Sequence, residues 1–293
     1  MTGVLNVYKE KGYTSHDVVA IIRKLTARTV KVGHTGTLDP DATGVLPICL
    51  GSATKFTNHL TSADKTYIAE VILGIETTTG DISGDVVATA VVNFCEETIV
   101  KVVNSFGFEK RGEYKQTPPM FSAIKIGGKK LYELAHKGET IDRPVRSVTI
   151  NKIQVLNFVP EKNAFTIEVN CSKGTYIRSL AMDIGSEIGC GATMGELERV
   201  QSGVFDINSA LKLEEIKKAV QDERLAELII PIDTLFPYSK INVTGDDLKL
   251  AANGNPLPLL KNQTEKKYWV CDKEKIIGLF ASDSKKLRSE VML

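Results

Sequence analysis

Gly33-His34-Thr35-Gly36-Thr37-Leu38-Asp39-Pro40-Asp41-Ala42-Thr43-Gly44-Val45-Leu46-Pro47 is the stretch on which the reading of this chain turns. Gly33, Gly36 and Gly44 permit backbone angles closed to other residues and let a ligand approach the main chain. The carboxylate of Asp39 sits between apolar Leu38 and rigid Pro40. A loop between a helix and an apolar strand is where reacting side chains are commonly displayed. The plainer reading is a tight turn with Asp39 as an ordinary turn residue, and on these residues alone both stay open.

Other chemical readings can be tested on the sequence. No Gly-x-x-x-x-Gly-Lys-[Ser/Thr] phosphate loop occurs. Gly189-Cys190-Gly191 opens like a dinucleotide fingerprint, but Met194 stands where the third glycine belongs. Asp39-Pro40-Asp41 begins like an EF-hand loop, yet Thr43 replaces a ligand and Leu50 occupies the place of the bidentate glutamate. Asp39-Pro40-Asp41-Ala42-Thr43 also matches the Asp-x-Asp-x-Thr string of haloacid-dehalogenase-type phosphotransferases. There the first aspartate should end a buried apolar strand, whereas Gly33 to Thr37 is polar and glycine-rich. That phosphatase reading stays as a competitor from another reaction class.

Outward from the loop, Val4 to Tyr8 reads as a strand, and Thr14 or Ser15 can cap a helix with an apolar face of Val18, Val19, Ile21, Ile22 and Leu25. Val45 to Leu50 is an apolar strand, Ser52 to Leu60 looks helical, and Lys65 to Leu73 alternates like a strand. A helix through Glu96 to Val103 precedes the loop Gln116 to Met120, where Pro118-Pro119 forbids helix. Ile124 to Ile126, Val145 to Phe158 and Phe165 to Cys171 read as strands, the last two a candidate hairpin. Thr175 to Ile188 and Leu213 to Leu228 are amphipathic helices. The elements mix without regular βαβ alternation, so the class is α+β. From Tyr238 onward the chain is turn-rich with short strand-like pieces, Lys267 to Val270 and Ile276 to Ala281, which predicts a small all-β appendage.

With 42% hydrophobic and 25% charged residues the chain is an ordinary globular one, and its net charge of +1 gives no argument for a nucleic-acid partner. Distribution says more. Residues 9–34 carry Lys9, Lys11, Arg23, Lys24, Arg28 and Lys31 against Glu10 and Asp17, and residues 109–146 are similarly basic. Local excess of this kind suits phosphate binding, although solvated faces look the same. The cysteines Cys49, Cys95, Cys171, Cys190 and Cys271 are odd in number and never spaced Cys-x-x-Cys, which argues against zinc and against a disulfide framework. No apolar run is long enough for a signal peptide or a membrane span, so a cytoplasmic protein is expected.

The string from Gly33 to Pro47 closely resembles the signature of TruB-type pseudouridine synthases, in which the aspartate of Gly-x-Leu-Asp-Pro is catalytic. Further segments resemble the same family in the same order: Lys65-Thr66-Tyr67; Pro118-Pro119-Met120-Phe121-Ser122-Ala123-Ile124-Lys125 with Gly128-Lys129-Lys130-Leu131-Tyr132; Cys171 to Leu180, containing Gly174-Thr175-Tyr176-Ile177-Arg178; and Gly189 to Ala192 with Leu197 and Arg199 beyond. The resemblance covers roughly residues 3–210. Ordered motifs are far more specific together than singly, and they displace the turn reading of Asp39.

The resemblance implies a pseudouridine synthase fold with a mixed, mainly antiparallel central sheet flanked by helices. It implies a catalytic domain over 1–237 and a β-rich PUA-like RNA-binding domain over 238–293. It implies isomerisation of uridine 55 in the T loop of tRNA, a redox-neutral reaction with no cofactor and no metal. Asp39 is then the catalytic carboxylate, and whether it attacks C1′, attacks the ring at C6 or removes the C2′ proton stays open. Arg178 pairs with Asp39 and favours its charged form, and Tyr67 stacks on the target base and assists proton removal at C5. The base must be extruded into a pocket that Tyr67, Tyr176 and Leu197 would line. His34 matches a histidine that inserts into the T loop. Gly33, Gly36, Thr37, Leu38 and Lys65 join the substrate-binding set, and Lys125, Lys129, Lys130 and Arg143 are candidate phosphate contacts, each of which could equally be a solvated charge. The expected partner is the tRNA T stem-loop, with no membrane, no obligatory protein partner and a monomeric state. Two alternatives share these residues: a guide-RNA-dependent subunit, disfavoured by the absence of extended basic tails, and an RNA chaperone whose enzymatic activity is secondary.

Overall fold

The computed structural model describes residues 1–293 apart from Ala123, His136, Thr140, residues 259–263 and Ser284, and apart from the side chain of Lys130. Ala123, within the Pro118 to Lys125 motif, and the Lys130 side chain therefore lie outside the described residues.

The central sheet runs in the order Gly3–Lys9, Thr43–Leu50, Ala192–Ser202, Lys65–Leu73, Ala164–Cys171, Ile150–Val159. Val32–His34 pairs with Thr43–Leu50, and Phe205–Asp206 pairs with Ala192–Ser202. Ala192–Ser202 meets Thr43–Leu50 in parallel, while the other pairings are antiparallel. The sheet is mixed and mainly antiparallel, and with its flanking helices the class is α+β. Helix Ser15–Leu25 starts where expected: the Thr14 hydroxyl accepts from the Asp17 amide and the Asp17 carboxylate accepts from Thr14, a reciprocal cap. Its buried Val18, Val19 and Ile22, with Leu180, Ala181 and Ile184 of helix Ile177–Ile188, join the sheet residues Leu46, Ile48, Ala69, Val71, Ile167 and Val169 in one core.

Several elements depart from the expectation. The strand Ala192–Ser202 was not expected, because Gly195, Glu196, Glu198 and Arg199 read as polar and broken. It nevertheless fills the middle of the sheet. A bulge between Met194 and Leu197 absorbs Gly195, where a Cβ would lie 2.1 Å from Oε2 of Glu70. The predicted strand Val145 to Phe158 is two: Arg146–Val148 pairs with Tyr114–Gln116, and Ile150–Val159 pairs with Ala164–Cys171. Ser52 to Leu60 is a 3₁₀ turn, Gly51–Phe56, running into the short helix Thr57–Thr61; the Thr54 and Thr57 hydroxyls donate to carbonyls three residues back and tighten it. Leu213 to Leu228 breaks after Gln221, where Glu223 adopts a left-handed φ of 57°.

Past residue 238 five strands form a separate sheet in the order Lys240–Asn242, Lys267–Asp272, Lys275–Ser282, Lys286–Met292, Leu257–Pro258. The unit is β-rich but not all-β, because Gly245–Ala252 is a helix with Asp246 and Asp247 in its first turn and Ala251 buried. Trp269, Cys271 and Leu279 of this sheet pack with Val4, Val45, Cys49, Phe56 and Leu60 of the first unit. The buried Trp269 indole donates to the Phe236 carbonyl at 2.7 Å. Among the described residues no helix is long and apolar enough to cross a membrane.

Candidate active site

The segment that carries Asp39 is pinned on both sides. Before it, the Leu38 amide donates to Oγ of Ser15 at 2.9 Å, with the Leu38 side chain buried. After it, the Pro40 carbonyl accepts from the Gly12 amide at 3.0 Å and from the buried ammonium of Lys9 at 2.9 Å. Lys9 also donates to the Tyr13 carbonyl at 2.7 Å, and burial pushes its ammonium down to about 8. The loop is thus anchored on both sides of Asp39, to the first strand, the turn after it and the first helix.

Asp39 faces a cavity of about 270 Å³ that is also lined by Gly36, Thr37, Leu38, Lys65, Tyr67, Tyr176, Arg178, Leu197 and Arg199. A larger hollow of about 850 Å³ meets it at Thr37, Leu38, Asp39, Ser122, Arg178 and Leu197, so the two form one cleft with Asp39 at the junction. Arg178, at the start of helix Ile177–Ile188, grips Asp39 side-on: Nε is 3.0 Å from Oδ2 and Nη2 is 3.3 Å from Oδ1. The Arg178 side chain is only 5% exposed, and its guanidinium also donates to the carbonyls of Phe121 at 2.8 Å and Thr79 at 3.2 Å.

The electrostatics refine the expectation that Arg178 simply favours ionised Asp39. The Asp39 side chain keeps 40% exposure through the cleft, yet its crowded surroundings raise the carboxyl pKa above its ordinary value. Arg178 pulls it back, and the Asp81 carboxylate, 3.7 Å from Nε of Arg178, pushes it further up. Asp39 working as an anion is active above its pKa and loses activity as pH falls through it. Removing the Asp81 charge lowers the Asp39 pKa both directly and by freeing Arg178. Asp81→Asn is therefore expected to move the acid limb of the rate profile to lower pH, and a limb that stays put or moves up would contradict this account.

Tyr67 lies on the central strand Lys65–Leu73, where its backbone partners are Val169 on one side and Arg199 on the other. Its phenol is raised by burial and pulled back by the positive charge of the nearby Arg199 guanidinium. Tyr176 is placed by Gln116, whose side chain donates to the Tyr176 carbonyl at 2.9 Å and accepts from its amide at 2.7 Å.

Of the other expected site residues, Lys65 shares the cavity and the rest lie around it or apart from it. Lys65 lines the cavity, but its ammonium donates to the carbonyls of Thr61 and Ala63, both at 2.6 Å, and burial lowers it to about 8. These bonds brace the start of the strand Lys65–Leu73, two residues before Tyr67. His34 stands outside the cavity, edge-on to His16 at 5.3 Å, and burial pushes its imidazole down to about 4, so it is neutral near pH 7. Gly33 borders a different concavity. Lys125 and Lys129 project from the hairpin Lys125–Ile126 and Lys129–Lys130 and are exposed. Arg143 donates to the Pro118 carbonyl at 2.9 Å and tethers the Gln116 to Met120 loop.

Sequence reasoning gave no role to Lys9, Asp81 or Arg199. Arg199 is 1% exposed; its Nε donates to the Val45 carbonyl at 2.7 Å and its Nη2 to that of Gly36 at 3.1 Å. It thus ties both ends of the Asp39 segment to the strand that runs beside Tyr67. The available signal was alternation, because Arg199 lies two residues past apolar Leu197 and shares its face. Among the described residues no group of three or more His, Cys, Asp or Glu side chains is arranged to hold a metal ion.

The family described as TruB family pseudouridylate synthase (N terminal domain) matches residues 23–177, and the tRNA pseudouridylate synthase B C-terminal domain matches residues 178–237. The chain belongs to the TruB family. It is 47% identical over 256 residues to tRNA pseudouridine synthase B of Alkaliphilus oremlandii, covering 87% of this chain and 82% of that protein. It is 44% identical over 265 residues to tRNA pseudouridine synthase B of Geobacillus thermodenitrificans, covering 88% and 86%. Among solved structures, a chain in the crystal structure of a Cbf5-Nop10-Gar1 complex superposes with a TM-score of 0.71 at 27% identity, covering 99% of this chain and 84% of that one. This TruB chain therefore has the pseudouridine synthase fold, with its central sheet and β-rich C-terminal unit in place.

Proposed function

We propose that this chain isomerises uridine 55 in the T loop of tRNA to pseudouridine, with Asp39 as the essential anion, Arg178 as its partner, and Tyr67, Tyr176 and Leu197 receiving the extruded base. One observation carries the reading: an aspartate gripped side-on by a buried arginine at the mouth of a small cavity with Tyr67 and Tyr176 in its walls. The reaction breaks the C1′–N1 bond, turns the uracil and forms C1′–C5; C5 loses a proton to solvent and the freed N1 gains one, so the product is an isomer of the substrate. No electrons enter or leave, so positioned acid–base and nucleophilic groups are sufficient. A cavity of about 270 Å³ suits one flipped base, and neutral His34, flanking the loop, suits insertion among displaced bases. The same reading makes residues 1–237 the catalytic domain and 238–293 a PUA-like module contacting the acceptor end of the tRNA, in a cytoplasmic monomer.

The test is to incubate the purified chain alone with an unmodified tRNA transcript and follow tritium release from C5-labelled uridine. Stoichiometric release supports the reading. RNA binding without release points to a guide-RNA-dependent subunit or a chaperone, and release of phosphate from a phosphate ester with magnesium would revive the phosphotransferase reading.

A further inference from the structure

A separate concavity of about 510 Å³ opens beside the strand that leads into the catalytic loop, and Arg23, Arg28, Lys31, Gly33 and Thr54 are among its walls. Among the described residues none of these three cations stands within ion-pair distance of a carboxylate. Arg23 lies in the last turn of helix Ser15–Leu25, where a cation complements the helix dipole. Arg28 and Lys31 lie beyond that turn, and the dipole does not account for them. The backbone that displays Arg28 is itself unusual. Ala27 and Arg28, neither of them glycine, adopt consecutive left-handed φ values of 50° and 59°. Hydrogen bonds donated by the Ala27 amide to the Lys24 carbonyl at 3.0 Å and by the Arg28 amide to that of Arg23 at 2.9 Å hold the turn. Strain kept by surrounding bonds, in a turn that brings like charges round one hollow, points to an anionic ligand.

Position identifies the anion. Gly33 borders this concavity and Gly36 borders the Asp39 cavity. Three residues of chain span at most about 11 Å, or about three stacked nucleotides. We propose that the concavity clamps phosphodiester groups of the substrate RNA strand, within about three nucleotides of the base held over Asp39. This rests on RNA being the substrate.

The test measures tRNA affinity between roughly 50 and 200 mM salt for three proteins. They are the wild type, an Arg28→Ala/Lys31→Ala variant, and a Lys152→Ala/Lys162→Ala variant with the same charge change, whose sites lie on and just beyond the opposite edge strand, Ile150–Val159. Losing two phosphate contacts is expected to flatten the log–log salt slope by about 1.5 to 2 and to weaken binding roughly tenfold, with the Lys152/Lys162 variant unchanged. An unaltered slope, or an equal loss in both variants, overturns the proposal. All four side chains are exposed, so melting temperatures are expected to match the wild type; a marked drop for Arg28→Ala/Lys31→Ala would make these cations structural and also overturn it. The slope is read without turnover, so it decides the phosphate contact even if tritium release fails and the proposed function falls.

Discussion

Asp39→Asn is expected to lower single-turnover tritium release by at least roughly four orders of magnitude while tRNA affinity changes less than about threefold. The substitution is nearly isosteric and leaves the loop's anchors alone: Ser15 at Leu38, and Lys9 and Gly12 at Pro40. What it removes is the anion. Arg178 keeps its bonds to the carbonyls of Thr79 and Phe121 and its proximity to Asp81, so the guanidinium is not left stranded in the interior. Selective loss of turnover marks a group acting in the transition state. An affinity loss as large as the rate loss, seen in filter binding beside the release assay, would instead make Asp39 a docking residue.

The second large effect is on the frame. Gly44 has φ 104° and sits where the first strand of the parallel pairing meets Arg199; a Cβ there would lie 2.2 Å from the Arg199 carbonyl oxygen and 2.8 Å from its amide nitrogen. Backbone on both sides cannot yield as a flexible side chain would. Gly44→Ala is therefore expected to destabilise by about 4 kcal/mol or more, read from the denaturant midpoint, with release activity lost together with the fold. Gly189→Ala is the comparison. Its φ of 95° is also positive, but no atom lies within 4 Å of the added carbon, so about 1 kcal/mol is expected. Similar costs at the two sites would show that conformation rather than contact governs Gly44.

Much of this was legible in the sequence because local pattern and tertiary role agreed. The strand Lys65–Leu73 alternates cleanly and the helix after Thr14 carries its own cap, so both ends of those elements follow from spacing. Asp39 stands out because glycines, a buried leucine and a proline surround it. The strand Ala192–Ser202 was opaque because its charged residues are satisfied only by distant partners: Arg199 by the carbonyls of Val45 and Gly36, and Glu198 by the Tyr8 hydroxyl at 2.8 Å. Asp81 was equally silent. It lies in a turn between Ile75–Thr77 and Val86–Thr89, and only folding carries it to Arg178. Lys65 was legible only as part of a motif, and folding shows where its ammonium goes, onto the carbonyls of Thr61 and Ala63.

The parallel pairing of Ala192–Ser202 with Thr43–Leu50 also bears on when activity can first arise during synthesis. A nascent chain emerges with Asp39 early, yet Arg178, Leu197 and Arg199 leave the ribosome far later, and the strand Ala192–Ser202 must slot between Thr43–Leu50 and Lys65–Leu73 to bring them together. Such long-range closure is slow compared with local folding. A half-made polypeptide can thus hold Asp39 without the walls of its cavity, and the proposed activity is expected only once the chain has passed Ser202.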